Sequence, residues 1–210
     1  MVQQRDIIDH FTVQAGIVGP SAGAEWAQNE FHTIIDSEKA NGWDNQIDDE
    51  VGVVVSYDRK LRALANFAMG GMSVDITPSF GLSLGNIYTN ARVGLMMRIG
   101  NDLRNDFSPP RIRPSLSGAG FFDPRDGASW YFFAGAEGRG VAHNIFLDGS
   151  LFRKGEVDLS SKDFVADFQA GFVVQLHNVQ FALTYVERSD EFEEQVEPQQ
   201  FAALSLSLKL

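Results

Sequence analysis

This chain reads as an all-β protein, an antiparallel transmembrane β-barrel with one helix carried in a loop. Three features of the sequence point there. Apolar and polar residues alternate with period two over whole segments. The alternating segments often reach ten residues or more, longer than the roughly five or six of ordinary globular strands. Helical spacing is confined to one stretch, 21–39.

Between Asp163 and Leu176 the even positions are Phe164, Ala166, Phe168, Ala170, Phe172, Val174 and Leu176, while Asp163, Asp167, Gln169 and Gln175 hold odd ones. Such alternation describes a strand with one apolar and one polar face. It recurs at Ala91, Val93, Leu95, Met97 and Ile99, at Val74, Ile76, Phe80, Leu82 and Leu84, and at Ala202, Leu204, Leu206, Leu208 and Leu210. Strands are predicted near 8–18, 48–60, 70–84, 88–100, 128–141, 143–156, 163–176, 178–190 and 199–210, one of these being a loop or a continuation. His177-Asn178 is a short turn and 189–198 a polar loop, while 100–127, with four of the seven prolines, is a long one. Long two-faced strands joined in this way suit a barrel with lipid outside and a polar lumen. Glu137 and Arg139 share one parity and would face that lumen. A soluble barrel or sandwich has the same alternation with its apolar face inward, and periodicity does not separate the two.

The 210 residues are enough for one domain with a sizeable interior. Composition narrows the function. A net charge of −11 argues against nucleic acid, whose phosphates require clustered Lys and Arg. The acidic run Asp190 to Glu194 reads as a solvated loop. With no cysteine, disulfides, zinc–thiolate sites and a Cys nucleophile are ruled out. No apolar run approaches the 18 or so residues of a transmembrane helix, so a membrane would be crossed by strands. MVQQRDIIDH shows no basic segment followed by an apolar one, hence no visible signal peptide.

In the helical stretch 21–39, Trp26, Phe31, Ile34 and Ile35 fall mostly at helical spacing, Ser21 can cap after Pro20, and Glu25 stands in the first turn. Gln28 and His32 are one turn apart on a single face. An imidazole beside an amide suits a general base and a group that orients water or substrate, although a lone helical histidine is more commonly a surface or packing residue. His10, His143 and His177 lie at strand ends or turns without metal-ligand spacing. Trp43 and Trp130 are either membrane-interface anchors or lumen packing, anchoring being the plainer reading.

Several short motifs occur in a telling order. They are Ile17-Val18-Gly19-Pro20-Ser21-Ala22-Gly23, then Gln28-Asn29-x-x-His32 with Ile34-Ile35, then Gly42-Trp43-Asp44-Asn45-Gln46-Ile47. Ser83-Leu84-Gly85-Asn86, Phe133-Ala134-Gly135-x-Glu137-x-Arg139, Asn144-x-x-Leu147-Asp148-Gly149 and Ser189-x-Glu191-Phe192 follow. Together they resemble the outer-membrane lipid A 3-O-deacylases, from about Phe11 to the C-terminus. The resemblance implies a twelve-stranded barrel in the bacterial outer membrane, acting as a monomer. Its site would lie at the outer leaflet between the barrel wall and a helix from an extracellular loop. It implies calcium-dependent hydrolysis of the ester that holds the 3′-acyloxyacyl group of lipid A, the substrate within lipopolysaccharide. His32 would be the general base, Gln28 a further site position and Glu38 the acidic partner, with the metal stabilising the oxyanion.

Family members begin with a signal peptide and strands that bring an Asn-Asp pair, a Ser or Thr, and a Lys to the site. Those positions have no counterpart in this sequence. About 8–9 of twelve strands are expected here, with two unpaired edges where a barrel would close. The expectation is an N-terminally truncated chain with part of the site. A degenerate barrel that keeps the fold without the reaction is one alternative. A porin-like structural barrel, in which the helix is a loop plug, is another.

Overall fold

The computed structural model describes residues 2–4, 7–39, 41–103, 106, 112–113, 116–117, 122–154 and 159–209. Within them the chain forms one ten-stranded antiparallel sheet with helices only in the connections. The strands are β1 (Val2–Gln4), β2 (Ile7–Val18), β3 (Glu50–Leu61), β4 (Ala65–Met69), β5 (Met72–Gly85), β6 (Tyr88–Gly100), β9 (Ala128–Asn144), β10 (Phe164–Leu176), β11 (Val179–Arg188) and β12 (Gln199–Leu208). Strands β7 (Ile112–Arg113) and β8 (Leu116–Ser117) pair separately inside the long 101–127 connection. Helix α1 spans Ala24–Ile34 and α2 spans Ile145–Asp148.

Sheet order follows chain order from β1 to β12, with β4 set aside as a hairpin on β5. Connections therefore alternate between two ends. The first end carries α1, the Asn86-Ile87 turn, α2 and residues 189–198; the other carries 61–72, 101–127 and 177–178. The sheet curls into a half-barrel and, among the described residues, β12 does not return to β1. Among the described residues β1 and β12 are the edges of the sheet. Pro78 sits where β5 changes partner, after Ile76 opposite β4 and before Ser79 opposite β3. A residue without an N–H fits such a gap in the ladder.

The orientation of the faces separates the two barrel readings. Val51, Val53 and Val55 on β3, Leu82 and Leu84 on β5, Val93, Leu95 and Met97 on β6, and Leu204, Leu206 and Leu208 on β12 all point outward and are exposed. Their neighbours of opposite parity are polar and buried: Ser56, Thr77, Ser79, Ser83, Arg92, Arg98, Gln175, Gln180 and Thr184. A water-soluble barrel has the reverse arrangement, so the inversion requires lipid outside. No helix in the described residues is long and apolar enough to cross a membrane, which leaves the strands as the crossing elements.

Ion pairs line the interior. Arg98, 2% exposed, donates from Nε and Nη2 to both carboxylate oxygens of Asp75 at 3.0 and 2.5 Å. Its Nη1 donates to the carbonyl of Asp106 at 2.9 Å. Tyr131 Oη and Gln180 Nε2 donate to Asp106 Oδ2 at 2.8 and 2.7 Å. Asp106 belongs to the 101–127 connection, and these bonds tie it to the inner face of the sheet. Higher up, Arg92 makes a bidentate pair with Asp58 at 2.6 and 2.9 Å and reaches Ser83 Oγ at 2.8 Å. Fully paired buried charges of this kind avoid the large cost of an isolated one. Near the α1 end the polar column gives way to an apolar cap of Val54, Ile87 and Ile145, backed by Val18, Ile47 and Tyr88.

The segment over 143–156 is the one that is a continuation and a loop: β9 runs on to Asn144, after which Asn144 Oδ1 accepts from Phe146 N–H at 3.2 Å, Asn144 N–H donates to Asp148 Oδ2 at 2.7 Å, and Gly149 closes α2 at φ 74°. Three other expectations change. The helix predicted over 21–39 is shorter, because Ser21 bonds Asp49 instead of capping and Asp36 at φ 53° stops the helix. Asp190 to Glu194 is not simply solvated, since Asp190 pairs with Lys162 at 3.0 Å and Glu191 with Arg188 at 3.4 Å. Trp130 does face outward beside Phe132, but Trp43 turns into a pocket with its indole nitrogen buried.

If the outward face meets lipid, Leu95→Arg should cost about 2–4 kcal/mol near the bilayer midplane. Urea unfolding in lipid vesicles, compared with wild type, measures it. An unchanged midpoint would show that Leu95 faces water.

Candidate functional site

The foot of α1 is built by the glycine-proline-serine motif. Gly19 takes φ 99°, and a Cβ placed there would lie 2.8 Å from main-chain and carboxylate atoms of Asp49. Only glycine combines that backbone conformation with that approach. Pro20 starts the 3-10 turn Pro20–Ala22, and Ser21 then donates from its N–H and hydroxyl to the Asp49 carboxylate at 2.7 and 2.5 Å. These donors hold the Asp49 carboxyl below its usual pKa. Two segments 28 residues apart are thereby pinned where β2 leaves the sheet and β3 enters it.

A second clasp starts at Glu50. Ser150 Oγ donates to Glu50 Oε2 at 2.5 Å and Asn86 Nδ2 to Oε1 at 2.7 Å. Arg153 stands 3.5 Å from the same carboxylate and donates to the carbonyls of Asp48 and Asp49. Asn86 is a hub: its Oδ1 accepts from Val53 N–H at 2.8 Å, and its carbonyl lies 2.9 Å from His143 Nε2. Deeper in the lumen, Arg139 and Arg188 converge on Asp167, the latter at 2.9 Å. Glu137 and Arg139 belong to the same β9 face, as the parity predicts. The motifs around Asn86, Arg139, Asp148 and Glu191 thus stitch the rim that carries α1.

α1 stands free of this stitching along its flank. None of its residues is buried, and Trp26, Phe31 and Ile34 remain exposed. The apolar spacing in 21–39 is therefore not packed on the described sheet. The helix is held at its foot and, through the Trp43–Asn45 turn, beside it.

His32 lies in the last turn of α1 and is half-buried. The chain reverses after it. Ser37 N–H donates to the His32 carbonyl at 2.9 Å, and Asp36 adopts its left-handed conformation. This reversal brings the main-chain carbonyl of Glu38 onto His32 Nδ1. A carbonyl oxygen only accepts, so Nδ1 carries the proton and Nε2 of the neutral ring keeps its lone pair. Gln28 is exposed one turn earlier, and the Glu38 carboxylate is exposed as well. Gln28, His32 and Glu38 thus share one end of one helix, and the contact between the last two runs through the main chain. The sequence held no signal for that contact, nor for the Glu50–Ser150–Asn86 clasp, which joins residues up to 100 apart.

Calcium takes about six to eight oxygen ligands. Among the described residues no group of three or more histidines or carboxylates is placed to hold a metal.

Against known proteins, a family model described as outer membrane protein LpxR matches residues 1–210. No curated protein matches the chain. Among solved structures, LpxR from Salmonella typhimurium is similar with a TM-score of 0.85 and 22% identity, over 100% of this chain and 69% of that one. At that identity the likeness speaks for the fold.

The Asp49 anchor has a defined pH response. Because its folded pKa is depressed, its contribution is present above the unfolded carboxyl value of about 3.9 and is lost as pH falls through the lower folded value. The Ser21 amide resonance is expected to move across that acid range and to stay fixed in Asp49→Asn. A pH-independent wild-type resonance would mean that the anchor does not form.

Proposed function

Because the chain belongs to the LpxR family of outer-membrane proteins, we propose that it is a lipid A 3-O-deacylase, an ester hydrolase that removes the 3′-acyloxyacyl group of lipid A in the outer leaflet. The observation that carries this reading is His32, held at the barrel rim with Nδ1 engaged by the Glu38 carbonyl and Nε2 left to accept a proton.

In the proposed reaction Nε2 takes a proton from water while the water oxygen bonds to the ester carbonyl carbon. The tetrahedral intermediate then breaks its bond to the 3-oxygen of the sugar. The released oxygen takes the proton back from the imidazolium, and the acyloxyacyl group leaves as a carboxylic acid. Throughout, the Glu38 carbonyl keeps the ring in one tautomer and stabilises the imidazolium. Gln28, one turn away, orients water or the ester. Calcium stays in the proposal as a family expectation, and no step is drawn through it.

Two features of the inner face support this reading over a porin-like channel: the Arg98–Asp75–Asp106 pairing at one end and the Val54–Ile87–Ile145 cap at the other.

With the chain in outer membranes containing hexa-acylated lipid A, loss of the 3′-acyloxyacyl group is read by mass spectrometry. His32→Ala should lower the rate by about 10²–10⁴-fold, the usual worth of a general base. Glu38→Ala, which keeps the main-chain carbonyl, should cost less. Equal losses in both variants would place the Glu38 carboxylate in the reaction, and an active His32→Ala would remove the histidine from it. Chelation of divalent ions tests calcium: unchanged release would take the metal out of the proposal.

A further inference from the structure

A pocket of about 680 Å³ opens beside the foot of α1, away from the His32 end. Its wall includes Ile17, Ala22, Ala24, Trp43, Phe146 and Leu159. The lining is mostly apolar, with Asn45 and Gln46 on one side, and the volume falls within the roughly 300–1,000 Å³ of small-ligand sites.

One observation indicates what fills it: the pocket is continuous with the lipid-facing surface. Ile17 lines it, has the outward parity of Phe11 and Val13 on β2 and is 54% exposed. A hydrocarbon chain lying on the barrel wall therefore passes Ile17 into the pocket without crossing water.

The geometry points to this pocket as the site that seats one acyl chain of the bound lipid A, with the Trp43 ring in its wall. The inference rests on the ester-hydrolase reading. Ala24 and His32 are eight positions apart on α1, about 12 Å at a helical rise of about 1.5 Å per residue. A chain seated at the foot thus belongs to the same bound molecule as the ester at the head, and the pocket fixes where along α1 that ester lies. Small residues at 22 and 24 keep the entrance open.

Fluorescence of the full chain in vesicles of brominated phosphatidylcholine tests this. Two single-tryptophan proteins are compared: Trp26→Phe/Trp130→Phe leaves Trp43, and Trp26→Phe/Trp43→Phe leaves the outward Trp130. Both are expected to be quenched, because brominated chains reach both positions. Unbrominated hexa-acylated lipid A should then relieve the quenching of Trp43 by more than half and leave Trp130 unchanged, while lipid A stripped of all its acyl chains relieves neither. Ala22→Phe in the Trp43 protein should abolish the relief. Trp43 unquenched where Trp130 is quenched would show that no chain enters. Trp43 quenched but unrelieved by lipid A would show that the pocket holds bulk phospholipid. Either result overturns the inference. Release of the 3′-acyloxyacyl group by wild type is followed separately. If none is released, the hydrolase reading fails while the fluorescence still decides occupancy; if release occurs without relief at Trp43, this inference alone falls.

Discussion

Arg98 shows what the rest of the structure depends on. With lipid outside, every polar side chain on the strands must find its partner in the lumen, and a guanidinium buried there needs its donors engaged. Asp75 on the neighbouring strand takes two of them and Asp106, from the 101–127 connection, takes a third. The same demand repeats at Arg92 with Asp58 and at Arg188 with Asp167. The inner face becomes a column of ion pairs that fixes register between strands.

The rim obeys a different constraint. A helix at the end of a barrel has no sheet face beneath it, and α1 buries none of its residues. It is positioned at its foot, by Ser21 on Asp49, while the turn-back onto Glu38 fixes only the His32 ring. That arrangement gives the short motifs a physical meaning. Gly19 exists for a close approach, Asn86 and Glu50 for cross-loop bonds, and Asn144 and Asp148 for closing a single helical turn. Most of the residues that carry the family likeness hold the rim together. Gln28 and His32 on α1 take no part in that stitching, and the proposed chemistry falls to them.

Period two in the sequence determined the strands themselves. All the long strands except the supposed one over 143–156 lie where alternation placed them, and Gln28 and His32 were legible as neighbours because helical spacing alone puts them one turn apart. The short β4 and the early end of α1 were not legible. The first is a hairpin extension on β5, and the second depends on a left-handed Asp36 that no side-chain pattern records.

What only the tertiary structure decided is which face looks outward, since two faces that alternate identically carry no label until the sheet curls and one set of side chains meets its partners inside. The curl put Arg98, Asp75, Asp106 and Gln180 together and left Leu82, Leu95 and Leu206 outside. The tautomer of His32 was decided in the same way. The family resemblance offered a carboxylate six residues on, but the backbone reversal delivered a carbonyl oxygen, and an acceptor on Nδ1 is what leaves Nε2 basic. Sequence periodicity reports how each residue sits on its own element. Contacts between elements depend on chain reversals and on distant partners, and those arise only when the whole sheet forms.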